Sequence, residues 1–220
     1  MNHERVVLFV DFANIDRAAR DVQVEMDYAH LLDYMAEGRF LVEAHVYIPI
    51  DPRNEHSLDR LVESLWRSGY VVRQKIGATA GTSYKCNFDV EITMDVLSTA
   101  YQVKPDIIVL ATGDGDFSPL VQEVRRLGIR LEVASFEASA SRELKLKSSG
   151  FISLDVYVRE ALESELGPQG TTGNAGPEPP LEGQMELHPA HDGEEPNNYG
   201  TDSAAPLRGD SVNLPNANDY

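Results

Sequence analysis

Two runs of almost uninterrupted aliphatic side chains constrain the fold more than any other feature. They occupy residues 5–10 and Ile107–Ala111, and each has the usual length of a strand. A strand that is apolar on both faces must be covered on both faces, as happens in a parallel sheet flanked by helices. We therefore expect a layered α/β domain.

The residues between and after these two runs alternate between strand-like and helix-like patterns. Leu58, Leu61 and Leu65 recur at helical spacing before Gly69, which would end the helix, and Asp27 can cap the helix that follows it. The predicted strands are residues 5–10, 40–48, 70–73, 107–111, 130–135 and 151–154. The predicted helices are residues 28–37, 58–68, 88–101, 119–127 and 141–147, with a polar loop at 77–83. This order predicts a three-layer α/β/α sandwich around a mainly parallel sheet over residues 1–160.

The C-terminal stretch has a different composition. From Gly167 onward it holds eight of the twelve prolines, eight of the sixteen glycines, and nine acidic residues against one arginine. Such a segment buries too little apolar area to offset its ordering entropy, so residues 161–220 are predicted to be a disordered acidic tail. The tail is a candidate contact for a homo-oligomer or a protein partner.

Two further features limit location and cofactor class. Cys86 is the only cysteine, which excludes an intrachain disulfide and a cysteine-rich zinc site. The first apolar run is too short for a signal-peptide core or a membrane span. A cytoplasmic protein without membrane association is the expectation.

Acidic residues follow the two most apolar strands. Asp11 comes directly after the first, and Asp114 and Asp116 follow the second in Thr-Gly-Asp-Gly-Asp-Phe. Because ligands in open α/β sheets bind at the carboxyl ends of the strands, these two groups should face each other. Asp89, at the start of a predicted helix after a loop, would approach the same point. Asp95 lies roughly 120° further around that helix and is predicted to support the site rather than join it.

Clustered carboxylates point to a hard divalent cation, Mg²⁺ or Mn²⁺, which prefers oxygen ligands. Asn14 would orient a carboxylate or a water without adding charge. Simpler roles exist for each acid: Asp11 and Asp89 could cap helices, and Gly-Asp-Gly-Asp could form a turn or part of a calcium loop. The conjunction of three acidic motifs at one edge favours a metal site over capping alone.

At these positions the sequence resembles NYN domains, in particular the LabA-like branch of the PIN-like ribonucleases. The matching motifs are Val-Asp-Phe-Ala-Asn at 10–14, Phe-Asp-Val-Glu-Ile-Thr-Met-Asp at 88–95, Thr-Gly-Asp-Gly-Asp-Phe-Ser-Pro-Leu at 112–120 and Ser-Phe-Glu-Ala-Ser-Ala-Ser-Arg-Glu-Leu at 135–144. The resemblance covers roughly residues 5–155. It implies a PIN-like fold, a Mg²⁺ or Mn²⁺ site, and RNA cleavage in some members. It gives Asp11, Asp89, Asp114 and Asp116 the catalytic and metal-binding roles, and Asn14 and Asp95 supporting roles.

The net charge of the chain limits which substrates it can bind. The formal net charge of −17 opposes binding to a polyanion, unless cations offset the clustered carboxylates and a basic surface lies beside them. The predicted substrate-binding residues are Lys75, Lys85, Arg142 and Lys145, although the last two could simply lie on a solvated helix face. Lys85 is also one residue further from Asp89 than the lysine that the family often has.

Three functions are consistent with these residues. The leading hypothesis is a metal-dependent endoribonuclease that hydrolyses RNA phosphodiester bonds with a metal-activated water. The second is a catalytically weak regulatory protein that binds RNA or a protein partner, which the net charge favours. The third is a phosphatase or nucleotide hydrolase on a similar sheet, which would need a small closed pocket.

Overall fold

The computed structural model describes residues 3–81 and 83–166, which form a six-stranded sheet with helices on both faces and a separate hairpin. The strands of the main sheet are β1 (Arg5–Asp11), β2 (Phe40–Ile50), β3 (Tyr70–Ile76), β6 (Ile107–Ala111), β7 (Arg130–Ser135) and β8 (Gly150–Ser153), and those of the hairpin are β4 (Ala78–Ala80) and β5 (Ser83–Lys85). The helices are α1 (Phe12–Asp21), α2 (Tyr28–Ala36), α3 (Asp59–Arg67), α4 (Asp89–Gln102), α5 (Ser118–Arg126), α6 (Arg142–Lys147) and α7 (Leu154–Leu166), with a 3₁₀ turn at Gly115–Phe117.

The two aliphatic runs lie side by side at the centre of the sheet, as predicted. The strand order is β3-β2-β1-β6-β7-β8, and all neighbouring strands are parallel. Val6, Leu8 and Val10 of β1 point into one core, whereas Val7 and Phe9 point into the other. This alternation buries residues 6–10 on both faces and explains why this stretch of β1 is apolar without a break.

Each face of the sheet is covered by its own set of helices. One core contains buried residues of α1, α2, α3 and α7, and the other contains buried residues of α4, α5 and α6. The three-layer α/β/α prediction is therefore confirmed. Among the described helices, none is long and apolar enough to cross a membrane.

Three elements depart from the sequence-based expectation. The segment after Asp11 is the unpredicted helix α1, and the predicted loop at 77–83 contains the short hairpin β4–β5. The helix α7 follows β8 directly and ends at Leu166, so the predicted domain boundary at 160 falls inside a helix. The predicted disordered tail from residue 167 onward lies outside the described residues.

The strand order places a topological switch at the centre of the sheet. From β1 the chain passes through α1 and α2 to β2 on one side, whereas β6 pairs with the other side of β1. At such a switch the connections leave the carboxyl edge in opposite directions and open a crevice between them. Asp11 ends β1 at this edge, and residues 112–116 follow β6 there.

Candidate active site

A cleft of about 240 Å³ opens at the carboxyl edge of β1 and β6. It joins three segments that are far apart in the chain: the end of β1 with α1, the start of α4, and the loop after β6. Its lining residues are Asp11, Ala13, Asn14, Arg17, Cys86, Asn87, Phe88, Asp89 and Asp114. The structure therefore brings together three of the four carboxylates predicted to bind metal.

Asp11 is held by two hydrogen bonds at the base of this cleft. The backbone N–H of Asn14 donates to its Oδ1 at 3.3 Å, and the Thr112 hydroxyl donates to its Oδ2 at 3.1 Å. Burial raises the pKa of Asp11 to about 6, with further increases from the nearby carboxylates of Asp89 and Asp114, although both hydrogen bonds oppose the shift. The folded chain thus holds this carboxylate ionised at neutral pH against an electrostatic cost.

Asn14 ties the β1–α1 segment to the loop after β6. Its side-chain oxygen accepts a hydrogen bond of 2.8 Å from the backbone N–H of Gly113. A β-carbon on Gly113 would lie 2.5 Å from the carbonyl oxygen of Ser139, so only glycine fits here. The loop that carries Asp114 is therefore held between Asn14 and the segment around Ser139. Asn14 thus fixes the position of this loop relative to β1.

Asp89 enters the cleft from the first residue of α4. The side-chain amide of Asn87 donates to its carboxylate at 2.8 Å. Burial raises the pKa of Asp89, and the charges of Asp114, Asp116 and Glu91 raise it further. These charges repel one another across the cleft, and a bound cation would relieve that repulsion.

Asp116 and Asp95 occupy different places from the three cleft carboxylates. Asp116 is exposed on the 3₁₀ turn, outside the cleft lining, and its backbone N–H donates to Asp114 Oδ1 at 3.0 Å. Asp95 accepts hydrogen bonds of 2.7 Å from the Tyr47 hydroxyl and of 2.7 Å from Arg73 Nε. Asp95 therefore fastens α4 to β2 and β3, one to two turns away from Asp89.

The capping roles considered for the acids are partly correct. Asp11 caps α1 through Asn14, and Asp114 caps the 3₁₀ turn through Asp116. Asp89 is not a cap, because Phe88 precedes α4 at the capping position and no side chain bonds there. Capping and lining the cleft are compatible, since a carboxylate has lone pairs left after accepting one backbone hydrogen bond.

No group of three or more His, Cys, Asp or Glu side chains in residues 3–81 and 83–166 is arranged tightly enough to form a ready-made metal cluster. Magnesium does not require one, because it keeps several waters and is usually held by one or two carboxylates together with substrate phosphates. The donor set of Asp11, Asp89 and Asp114 fits that requirement. All are oxygen donors, and Asp11 is a partly buried carboxylate whose bonded partners are neutral.

The four predicted substrate-binding residues do not gather at the cleft. Lys75 pairs with Glu91 and donates to the carbonyl oxygen of Asn87 at 3.1 Å. Lys145 pairs with Glu137 and lies 4.6 Å from the Phe151 ring centre. Arg142 is exposed at the start of α6, and Lys85 is exposed at the end of β5. The lining residues include none of these four.

Arg17 is the cation that the sequence reasoning missed. It lies one turn after Asn14 on α1 and is the single basic residue among those that line the cleft. In the described part of the chain its side chain makes no hydrogen bond or ion pair. Its position one turn after Asn14 would have identified it, because residues three apart share one face of a helix, but α1 itself was not predicted.

Comparisons with known proteins agree with this architecture. The NYN domain model matches residues 5–155. The chain is 29% identical over 175 residues to the Low amplitude and bright protein LabA of Synechococcus elongatus, covering 75% of this chain and 91% of that protein. It is also 23% identical over 141 residues to an uncharacterised protein of Methanocaldococcus jannaschii, covering 64% of this chain and 51% of that protein.

A solved structure supports the fold. It is a protein of unknown function from Vibrio parahaemolyticus, with a TM-score of 0.60 and 24% identity, and the match covers 70% of this chain and 94% of that one. The family match spans well over half of the chain and includes every strand of the central sheet. This protein belongs to the NYN domain family.

Proposed function

We propose that this protein is a metal-dependent endoribonuclease that uses Mg²⁺ or Mn²⁺ to hydrolyse RNA phosphodiester bonds. The supporting observation is that Asp11, Asp89 and Asp114, from three separate segments, line one cleft and form no ion pair within the described residues. NYN domains have a PIN-like nuclease fold, and PIN-like nucleases generally use divalent metals. The family and the cleft chemistry therefore favour the same reaction.

The carboxylates have distinct roles in this proposal. Asp11, Asp89 and Asp114 would provide oxygen ligands, and the exposed Asp116 would act through a bound water or through its charge. Asn14 fixes the distance between Asp11 and Asp114 by holding the loop at Gly113, and Asp95 fixes α4, which carries Asp89. When bound, the cation would supply an activated water and stabilise the charge that develops on the phosphoryl oxygens.

Arg17 completes the cleft on the α1 side. Its guanidinium has no carboxylate partner among the described residues, although Arg17 lines the same cleft as three aspartates. A planar guanidinium can bind two oxygens of a phosphate at once. We assign Arg17 to the scissile phosphate, where it would offset part of the negative charge that the carboxylates bring to the cleft.

Cleavage assays test this proposal. Purified full-length protein is incubated with single-stranded and structured RNA in Mg²⁺ or Mn²⁺, beside the variants Asp114→Asn and Asp21→Asn. Asp21→Asn makes the same change in charge at the exposed far end of α1. Metal-dependent cleavage that is lost only in Asp114→Asn supports the nuclease. Cleavage that survives in Asp114→Asn, or that continues in EDTA, contradicts it.

A catalytically weak RNA-binding or protein-binding regulator is the second candidate. The formal net charge of −17 favours it, because counterion release from RNA requires cationic side chains. The same assay separates the two functions. Equal RNA retention by the native protein and Asp114→Asn, without cleavage by either, would establish the binding protein instead.

A further inference from the structure

A second pocket lies beside the carboxylate cleft, between the end of β3 and the hairpin β4–β5. Its volume is about 610 Å³, within the range of pockets that hold small ligands such as a nucleotide. Its lining residues are Lys75, Ile76, Gly77, Ala78, Tyr84, Lys85, Cys86 and Asn87. We call it the hairpin pocket.

The hairpin pocket and the carboxylate cleft share a wall. Cys86 and Asn87 line both, and the Asn87 side chain donates directly to Asp89. A polynucleotide with one phosphate in the cleft beside Asp89 would therefore place its adjacent nucleotide against Cys86 and Asn87. The two cavities form adjacent parts of one surface.

The charge of the hairpin pocket is opposite to that of the cleft. Lys75 and Lys85 are its ionisable lining residues besides Tyr84 and Cys86, whereas three carboxylates line the cleft. Lys75 is held by Glu91 and Asn87. Lys85 is exposed and has no ion pair or hydrogen bond from its side chain within the described residues. Lys85 is thus available for an anion, whereas Lys75 positions the turn before Asp89.

Tyr84 gives the pocket an aromatic wall in a fixed position. The hairpin pairs Tyr84 with Thr79, and its ring lies so close to Gly77 that a β-carbon there would be 2.5 Å from Tyr84 Cδ2. The backbone N–H of Gly77 is bonded to the carbonyl oxygen of Ile50 at 2.9 Å. The glycine is therefore anchored to the main sheet, and the half-buried ring that packs on it cannot turn freely.

We propose that the hairpin pocket binds the nucleotide adjacent to the scissile phosphate of single-stranded RNA, with its base against Tyr84 and its phosphate on Lys85. This inference rests on the proposed nuclease function, because that function places the scissile phosphate in the cleft. An aromatic ring beside a cation is the usual means by which proteins hold one unpaired nucleotide. A base that is paired and stacked in a duplex cannot reach the ring, so the pocket selects unpaired RNA.

Binding measurements without cleavage test the pocket. Full-length Asp114→Asn protein in Mg²⁺ is titrated against a fluorescein-labelled single-stranded 12-nucleotide RNA, and binding is followed by fluorescence anisotropy. Adding Tyr84→Leu should weaken binding by about fivefold or more, whereas Tyr84→Phe, which keeps the ring, should bind as before. Adding Lys85→Gln should weaken binding and reduce the slope of log K against log salt by roughly 0.7.

Matched controls separate these effects from general changes in charge or folding. Lys104→Gln removes a lysine at the opposite edge of the sheet, and Tyr101→Leu removes an exposed tyrosine near the far end of α4. Both should bind like the parent protein, and a blunt duplex of the same sequence should bind more weakly and be insensitive to Tyr84→Leu. Melting temperatures of all variants confirm that they fold.

The proposal is overturned if the parent protein binds no RNA, if Tyr84→Leu and Lys85→Gln bind like the parent, or if the duplex binds as tightly as the single strand. Failure of the nuclease proposal has a different signature. In that case the native protein does not cleave, while loss of binding in Tyr84→Leu still shows that the hairpin pocket holds RNA. Conversely, RNA cleavage by the native protein that is unaffected by Tyr84→Leu and Lys85→Gln supports the nuclease proposal and overturns the hairpin-pocket proposal.

Discussion

Two groups of acidic side chains at α4 and its neighbours have opposite environments. Asp95 and Glu91 each pair with a cation of β3, Arg73 and Lys75 respectively. The three cleft carboxylates, of Asp11, Asp89 and Asp114, have no ion pair in the described part of the chain, and the pKa values of Asp11 and Asp89 are raised. The first group fastens α4 to the sheet, and the second leaves negative charge that a ligand can neutralise. The presence or absence of an ion-pair partner therefore separates the carboxylates with a structural role from those that we propose to bind metal.

The largest expected difference between the two groups is in catalysis. Asp11→Asn should lower the rate of metal-dependent RNA cleavage by at least ~1000-fold, about 4 kcal/mol in the barrier, because it removes a proposed metal ligand from the cleft. Asp95→Asn should keep most of the rate, since Asn can still accept from the Tyr47 hydroxyl. Initial rates with a labelled RNA measure both. Equal losses of cleavage rate in the two variants would mean that the ion pairing of a carboxylate does not predict its importance for cleavage.

The pH dependence of stability is the next largest effect. The pKa of Asp11 is about 6 in the folded state and near 3.8 when unfolded, so the folded state binds the extra proton. The contribution of Asp11 to stability is therefore fully present at low pH and is lost as pH rises from about 4 to 6, by up to about 3 kcal/mol. Relative to the native protein, Asp11→Asn should be more stable at pH 7.5 than at pH 4. Urea denaturation in EDTA measures this, and a difference independent of pH would contradict it.

Removal of the ion-paired Asp95 should lower stability at neutral pH, whereas removal of the unpaired Asp11 should raise it. Asp95→Ala leaves the hydroxyl of fully buried Tyr47 without its acceptor and frees Arg73. A loss of about 1–3 kcal/mol in the free energy of unfolding is expected at pH 7.5. Urea denaturation again provides the measurement. A variant as stable as the native protein would show that Asp95 does not fasten α4.

Glu91→Gln should have the smallest effect. Both partners of the Lys75–Glu91 pair are partly exposed, at 43% and 38% for Lys75 and Glu91 respectively, and pairs in contact with solvent contribute at most about 1 kcal/mol. The expected change in unfolding free energy at 150 mM salt is correspondingly small. A loss larger than that of Asp95→Ala would reverse the ranking of the two ion pairs.

The sequence was sufficient where local patterns decide the structure. Continuous aliphatic runs identified β1 and β6 as central neighbouring strands, and their carboxyl ends located Asp11 and Asp114. Asp89 was also placed correctly, because a loop before a helix leaves its first residue free to approach the sheet edge. These inferences need only the rule that ligands bind at the ends of parallel strands.

The missed features depend on contacts that are distant in sequence or on short elements. The helix α1 begins directly after a strand, and its sequence is mixed because only one face meets the core; missing it also hid Arg17. The strands β4 and β5 have three residues each, too few for a period-two pattern to stand out. The helical angle separated Asp95 from Asp89 in the sequence, but the cation partners of Asp95 and Glu91 lie on β3, so only the folded chain identifies them.

Direct titration with Mn²⁺, followed by electron paramagnetic resonance of the free ion, tests the central claim that the unpaired carboxylates together hold a divalent cation. The native protein should take up Mn²⁺, Asp11→Asn and Asp89→Asn should bind it much more weakly, and Asp95→Asn should bind it like the native protein. Equal uptake by the native protein and both cleft variants, or no uptake by the native protein, would contradict the account.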